Sequence, residues 1–180
     1  MNSRLTIHEY RLWVIFHQTY DLVNRSKEVV FAKTASTDQQ YLVLWLMELH
    51  SDVIGGPLTI SDLACLLYRS LNSTSSIVDR MKKNGLIEKL RDLPDERSIR
   101  LIMTPKGREI LQKISKPYDI FIKQLFSIYS EEELDTLITL LKKLKTVSSQ
   151  ELNITNNEID PEIADTKKIT RFLNKLDRLS

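Results

Sequence analysis

The sequence predicts a mainly α-helical protein with one short β-hairpin wing, a compact core set between long N- and C-terminal helices. Three observations carry that expectation. The 180 residues include only four Gly and five Pro, so each of these marks a turn or a helix end. Apolar residues recur with helical period over most of the length. Between Gly85 and Thr104 that period gives way to alternation.

Each element has its own signal. From about Ile7 to Lys33 no Gly or Pro interrupts a pattern holding Tyr10, Val14, His17, Asp21 and Glu28 among apolar neighbours. At 1.5 Å per residue such a helix is roughly 40 Å long. A second helix starts near Ser36 or Thr37, where Gln39 or Gln40 completes a capping box, and runs through Tyr41 to Met47 toward the break at Gly55, Gly56 and Pro57. Thr59 and Asp62 form another capping box ahead of a short helix, Ile60 to Leu67. Ser70 caps a fourth helix that reaches Asn84 and is closed by Gly85, where a left-handed residue is favoured. Leu86 to Arg91 and Ser98 to Met103 read as two strands around a charged turn, Asp92 to Arg97. Thr104 and Pro105 restart helix to about Ser127, with a kink expected at Pro117. Ser130 and Glu133 cap a further helix with Leu134, Leu137, Ile138, Leu141, Leu144 and Val147 on its apolar face. The polar stretch from Ser148 reads as a linker, and Ile169, Phe172, Leu173, Leu176 and Leu179 share one face of a final amphipathic helix.

Composition excludes several classes. With 42% hydrophobic residues the chain can bury a core without staples, and its lone cysteine, Cys65, rules out an intramolecular disulfide framework or a CxxC pair. Cys65 lies among Leu63, Ala64, Leu66 and Leu67, where a buried, inert thiol is expected. Arg4, Glu9 and Arg11 interrupt the apolar N-terminus and no uncharged run is long enough to cross a bilayer, so a cytoplasmic protein is expected. His8, His17 and His50 lie apart, with no HExxH, no GxSxG and no Gly-rich phosphate loop. Neither catalysis nor a metal nor a cofactor is expected.

The net charge of +2 conceals a local concentration. Residues 69–108 hold ten Lys or Arg against five Asp or Glu, a local +5 that leaves −3 for everything else. Helix, tight turn, helix, hairpin is the order of a helix-turn-helix with a wing, whose second helix suits the DNA major groove. Charge alone is equally compatible with a solvated surface.

The residues from Leu58 to Gly107 add a more specific signal. Gly85-Leu86-Ile87-Glu88-Lys89, then Asp95-Glu96-Arg97, the apolar strand to Met103, and Thr104-Pro105-Lys106-Gly107 reproduce in order a D-x-R wing tip, a strand and a T-x-x-G helix start. This set, with Ile77-Val78-Asp79-Arg80-Met81, resembles the MarR family of bacterial winged helix-turn-helix transcriptional regulators. The resemblance implies sequence-specific binding of double-stranded DNA, with repression the expected sign. It implies that Arg97 enters the minor groove, braced by Asp95, although a surface ion pair is the plainer reading of those two residues. It places Ser70 at a helix start able to cap and to meet a phosphate, and Asn72, Ser73 and Ser76 toward the groove. Arg80 and Lys83 suit the DNA backbone better than base edges. Ser76 departs from the family, in which arginine is common at that position and can make a bidentate guanine contact that serine lacks.

A fifty-residue winged core leaves the long helices with apolar stripes too large for a monomer, so a homodimer is expected, with a pseudo-palindromic operator whose half-sites lie about 34 Å apart. Residues 1–35 and 108–147 are assigned to the dimerisation region, 36–107 to the winged core, 148–160 to the linker and 161–180 to the last helix, all within one structural domain. That tail exceeds the usual family pattern and reads as dimer packing or as a cover over the winged core. The resemblance also implies a small, often aromatic, effector between the dimerisation helices and the core. Trp13, His17, Tyr20, Tyr41 and Trp45 are the candidate lining, with ordinary core and surface aromatics as the plainer reading. A winged module that binds protein instead of DNA is the alternative function.

Overall fold

The computed structural model describes residues 4–34, 36–94, 98–152, 170–172 and 174. Helix α1, Ile7–Phe31, opens with a capping box in which Thr6 and Glu9 satisfy each other's backbone N–H groups. Along its length Tyr10, Leu12, Trp13, Ile15, Phe16, Tyr20 and Leu22 are exposed, and only Phe31 is buried. The chain leaves this helix largely uncovered.

The core forms around helix α2, Asp38–Leu49, which Thr37 and Gln40 cap as expected. Tyr41, Val43, Leu44, Leu46, Met47 and Leu49 are all buried, so α2 is enclosed on most sides. It does not run straight to Gly55. A π-helical turn, His50–Ile54, intervenes, and the Gly55 N–H donates to the His50 carbonyl at 2.8 Å. His50 is buried, with Nδ1 lacking a hydrogen-bond partner among the described residues.

Burial pushes the His50 imidazole below its ordinary pKa, against a smaller opposing pull from Asp62. As pH falls, the unfolded chain therefore takes up this proton first. The stability His50 contributes is complete above about pH 6.5 and is lost from there down toward its depressed native value. The His50→Gln form is expected to show a shallower loss of urea stability between pH 7 and pH 5 than the parent. An equal loss in both would remove His50 as the cause.

Helix α3, Ile60–Leu66, starts at the Thr59–Asp62 capping box, and helix α4, Leu71–Lys83, starts at Ser70. Between them Tyr68 adopts φ 51, uncommon for a residue with a side chain. Gly85, at φ 72, closes α4 as its position requires. Strands β1, Ile87–Leu90, and β2, Arg100–Met103, pair antiparallel with Ile87 opposite Met103 and Leu90 opposite Arg100.

A third short segment joins them, which the sequence reading did not anticipate. The Leu101 N–H donates to Leu58 at 2.8 Å and the Ile60 N–H to Ile99 at 3.3 Å, with Thr59 opposite Arg100. Three residues are too few to show alternation, and Thr59 was legible only as a cap.

Helix α5, Pro105–Phe126, runs through Pro117, and helix α6, Glu131–Glu151, begins at the Ser130–Glu133 capping box. The expected linker therefore starts too early. Residues 148–151 remain helical because no Gly or Pro stops them, and Ser149 is buried with its hydroxyl donating to the Thr146 carbonyl. Residues 153–160 and most of the expected last helix lie outside the described residues; of that helix Thr170, Arg171, Phe172 and Asn174 are helical. Cys65 is half-buried rather than enclosed. No described helix is long and apolar enough to cross a membrane.

Candidate nucleic-acid interface

Helix α4 divides cleanly by period. Thr74, Ile77, Val78 and Met81 are buried against the core, while Asn72, Ser76, Asp79, Arg80 and Lys83 are exposed on the opposite face at spacings of three and four. Its first turn carries no acidic side chain, so the positive end of the helix dipole is unopposed there. The Ser70 hydroxyl accepts from the Ser73 N–H at 3.2 Å, which occupies one first-turn donor, and Ser73 is half-buried. The N–H groups of Leu71 and Asn72 have no intrahelical acceptor by virtue of position. That leaves an anion-accepting end.

The Ser76 hydroxyl donates to the Asn72 carbonyl at 3.0 Å, so it presents lone pairs outward. Arg80 Nη2 donates to Gln39 Oε1 on α2 at 3.2 Å, which fixes a long side chain at the edge of the face. Asp79 is the one acid in α4. Lys89 of β1 pairs with it at 2.6 Å and ties the hairpin to the helix while cancelling that charge.

The hairpin is braced where its strands meet the turn. Arg100 holds Asp92 in an ion pair, and that hydrogen-bonded contact lowers the Asp92 carboxyl pKa and raises that of the Arg100 guanidinium. At the other end, Thr104 Oγ1 donates to the Gly85 carbonyl at 2.7 Å and Lys106 Nζ to the Asn84 carbonyl at 2.9 Å, so α5 begins directly on the C-terminus of α4. Asp95 and Arg97, the expected wing-tip pair, lie outside the described residues.

Of the expected DNA contacts, Ser70, Asn72, Ser76, Arg80 and Lys83 therefore share one exposed surface, with Ser73 partly turned inward. Gln39, Lys89 and Asp79 complete that surface and were not singled out from sequence. Gln39 was read only as a possible capping partner, and the Lys89–Asp79 pair joins two elements whose juxtaposition no local pattern records.

The five expected effector residues fall into separate groups. Trp13 and His17 stack edge-on at 5.0 Å on the uncovered face of α1, where Tyr20 is also exposed. Tyr41 is buried between Phe31 and Tyr118, with ring centroids at 5.9 and 4.8 Å. Burial pushes its phenol far up from the ordinary value. Trp45, half-buried, meets Phe172 edge-on at 5.7 Å.

Residues 37–99 match the model of the MarR family. Over 125 residues the chain is 28% identical to YsmB, an HTH-type transcriptional regulator of Bacillus subtilis, covering 69% of this chain and 82% of YsmB. It is 34% identical over 84 residues to the transcriptional repressor MprA of Escherichia coli, covering 47% of this chain and 48% of MprA.

Among solved structures, AbsC of Streptomyces coelicolor, a MarR family regulator, superposes with a TM-score of 0.73 at 22% identity, covering 83% of this chain and 99% of AbsC. MepR of S. aureus, in complex with DNA, gives 0.63 at 22% identity, covering 79% and 99%. The organohalide-sensing regulator RdhR, bound to 2,4-dichlorophenol, gives 0.63 at 23% identity, covering 89% and 94%. These structures share the fold: mostly helix, with a two-stranded hairpin.

Proposed function

We propose, from the premise that this chain belongs to the MarR family of transcriptional regulators, that it represses transcription by binding a pseudo-palindromic operator as a homodimer and is released by a small aromatic effector. Members of that family are regulators and not enzymes. The observation that carries the reading is the exposed face of α4, where Asn72, Ser76, Arg80 and Lys83 line up beside a hairpin pinned by Lys89 and Asp79. Asn72 offers an amide suited to adenine, and the Ser76 lone pairs can accept from a base amino group. Arg80 and Lys83 are placed for phosphates, as is the N-terminus of α4 at Ser70. Arg97, with Asp95, supplies the minor-groove contact from the wing.

Dimer formation is supported by the uncovered apolar side chains of α1 together with Ile138, Leu141, Leu144 and Val147 of α6, which water alone would otherwise face. In a two-fold pair these stripes cover one another and set the two α4 helices for successive major grooves. Repression follows the role of MprA as a transcriptional repressor, and the aromatic effector follows the dichlorophenol bound to RdhR. Trp13, His17, Tyr20, Tyr41 and Trp45 remain the candidate lining; a two-fold partner could bring α1 of one subunit to the core of the other.

The experiment is duplex binding by fluorescence anisotropy across a salt series, with DNA flanking the gene compared with scrambled duplex. Affinity is expected to fall steeply with salt, because bound cations displace condensed counterions. Arg97→Ala is expected to weaken binding about 5- to 30-fold, with a log-log salt slope shallower by about one per subunit and unfolding nearly unchanged. Salt-insensitive behaviour with no duplex bound at low salt would reverse the reading in favour of a protein-binding module. Unfolding caused by Arg97→Ala would make that residue structural.

A further inference from the structure

The largest fully enclosed side chain among the described residues does not come from the winged core or the long helices that flank it. It is Phe172, 1% exposed, from the segment that follows α6. Its ring joins the same buried cluster as Leu44, Leu63, Val78 and Ile114, and meets the indole of Trp45 edge-on at 5.7 Å and 75°. That is a favourable geometry for two aromatic rings.

A contact from the second half of α6 reaches the same core independently. Lys145 Nζ lies 5.2 Å above the ring of Tyr68, the strained residue of the turn between α3 and α4, and Ser149 is buried. Leu140, Leu141, Leu144 and Val147 on the same helix are exposed. So α6 brings Lys145 to the winged core, and the chain beyond it contributes an aromatic ring.

We infer that α2 carries beside Trp45 a binding site for one aromatic ring, and that the chain's own Phe172 occupies it as a built-in ligand. The reason is steric as well as energetic. A site that accepts a phenyl ring with 1% exposure has no room for a second ring, so a free aromatic molecule takes this position beside Trp45 only by displacing Phe172. Thr170 and Arg171, the preceding residues, belong to the same helical turn and are both exposed, so among the described residues of this turn Phe172 is the apolar anchor and its neighbours form a solvated flank. Small aromatic compounds then act on this protein through displacement of Phe172, a step a site open from the outset does not need. That consequence, though not the site itself, rests on the effector reading above.

The chain has two tryptophans, so a Trp13→Phe background reports on Trp45 alone. In that full-length background Trp45 emission is expected to be blue-shifted, weakly quenched by acrylamide, and unmoved by phenol at millimolar concentration. Adding Phe172→Ala is expected to shift the emission to the red and raise acrylamide quenching several-fold. Phenol should then reverse both and raise the melting temperature, because an apolar ring-sized cavity binds a ring-sized ligand. Equal emission and quenching with and without Phe172, or an equal phenol effect on both forms, overturns the inference. Should Phe172→Ala fail to fold, Phe172→Leu keeps apolar bulk without the ring, and the same Trp45 readout decides. Because no DNA is present, a protein that bound no duplex would sink the regulator reading and leave this result standing.

Discussion

Replacing Gly107 with alanine is expected to destabilise the protein by about 3 kcal/mol or more, well above the typical cost of a point substitution. Gly107 is buried in the first turn of α5, and its backbone conformation is ordinary helix, so conformational freedom is not what it supplies. Space is what it supplies. A Cβ there would lie 2.3 Å from the Leu86 carbonyl oxygen, 3.0 Å from Met103 Cγ and 3.2 Å from Leu44 Cδ2. The closest of these is backbone, and it is held: the same carbonyl accepts from the Thr104 N–H at 3.1 Å, while Leu86 itself is buried. Relief would require α5 to lift off the root of the hairpin, which would break the contacts that aim α4. For a chain of this length the loss corresponds to a fall of about 6–12 °C in melting temperature. Gly85→Ala is the control. It meets only Lys106 Cδ at 3.9 Å and pays for the left-handed conformation alone, about 1–2 kcal/mol. Equal losses at the two positions in calorimetry would show that α5 does not press on the hairpin as described.

Much of this architecture was legible because the information is local. Thr37, Thr59, Ser70, Thr104 and Ser130 each sit where a helix begins, and each accepts from the expected backbone N–H. Gly85 and the alternation of Ile99, Leu101 and Met103 announced the turn and the hairpin in the same way. The exposed face of α4 followed from the helical period once Ser70 fixed its start. What escaped depends on contacts between distant segments. Leu58 to Ile60 extend β2 only because the fold brings them there. The π-helical turn at His50 adds one residue per hydrogen-bonded ring and leaves no mark on the apolar pattern. Gln39 meets Arg80 across 41 residues, and Lys89 meets Asp79 between two elements. The five expected effector residues lie in separate groups within this chain for a related reason: aromatic composition does not say which faces of α1, α2 and α5 oppose one another.

Arg108→Ala is the second substitution with a large expected effect, a loss of about 3 kcal/mol, and the reason is an asymmetry of burial. Glu48 is a charged residue of α2 with 4% exposure, enclosed among the apolar side chains of the core. Both its carboxylate oxygens lie 3.1 Å from Arg108 Nη1 on α5, whereas the arginine side chain is about half exposed. Withdrawing the guanidinium therefore removes a cationic partner from a carboxylate that remains in a poorly solvated place. The reverse change is milder: Glu48→Gln removes the buried charge and leaves a guanidinium that water can solvate. Combining Glu48→Gln with Arg108→Ala is expected to recover about 1 kcal/mol or more of the single loss, because no buried charge remains. Urea unfolding of the four proteins in this cycle checks the argument. If the double variant is as unstable as Arg108→Ala, the cost lies in lost packing of the arginine stem and not in the buried carboxylate. The pair also follows Gly107 by one residue, so α2 grips α5 at the same turn that meets the hairpin. Arg108→Ala should accordingly weaken duplex binding even at temperatures where the fold persists, with the salt slope unchanged, since Arg108 holds the reading surface in place without touching a phosphate.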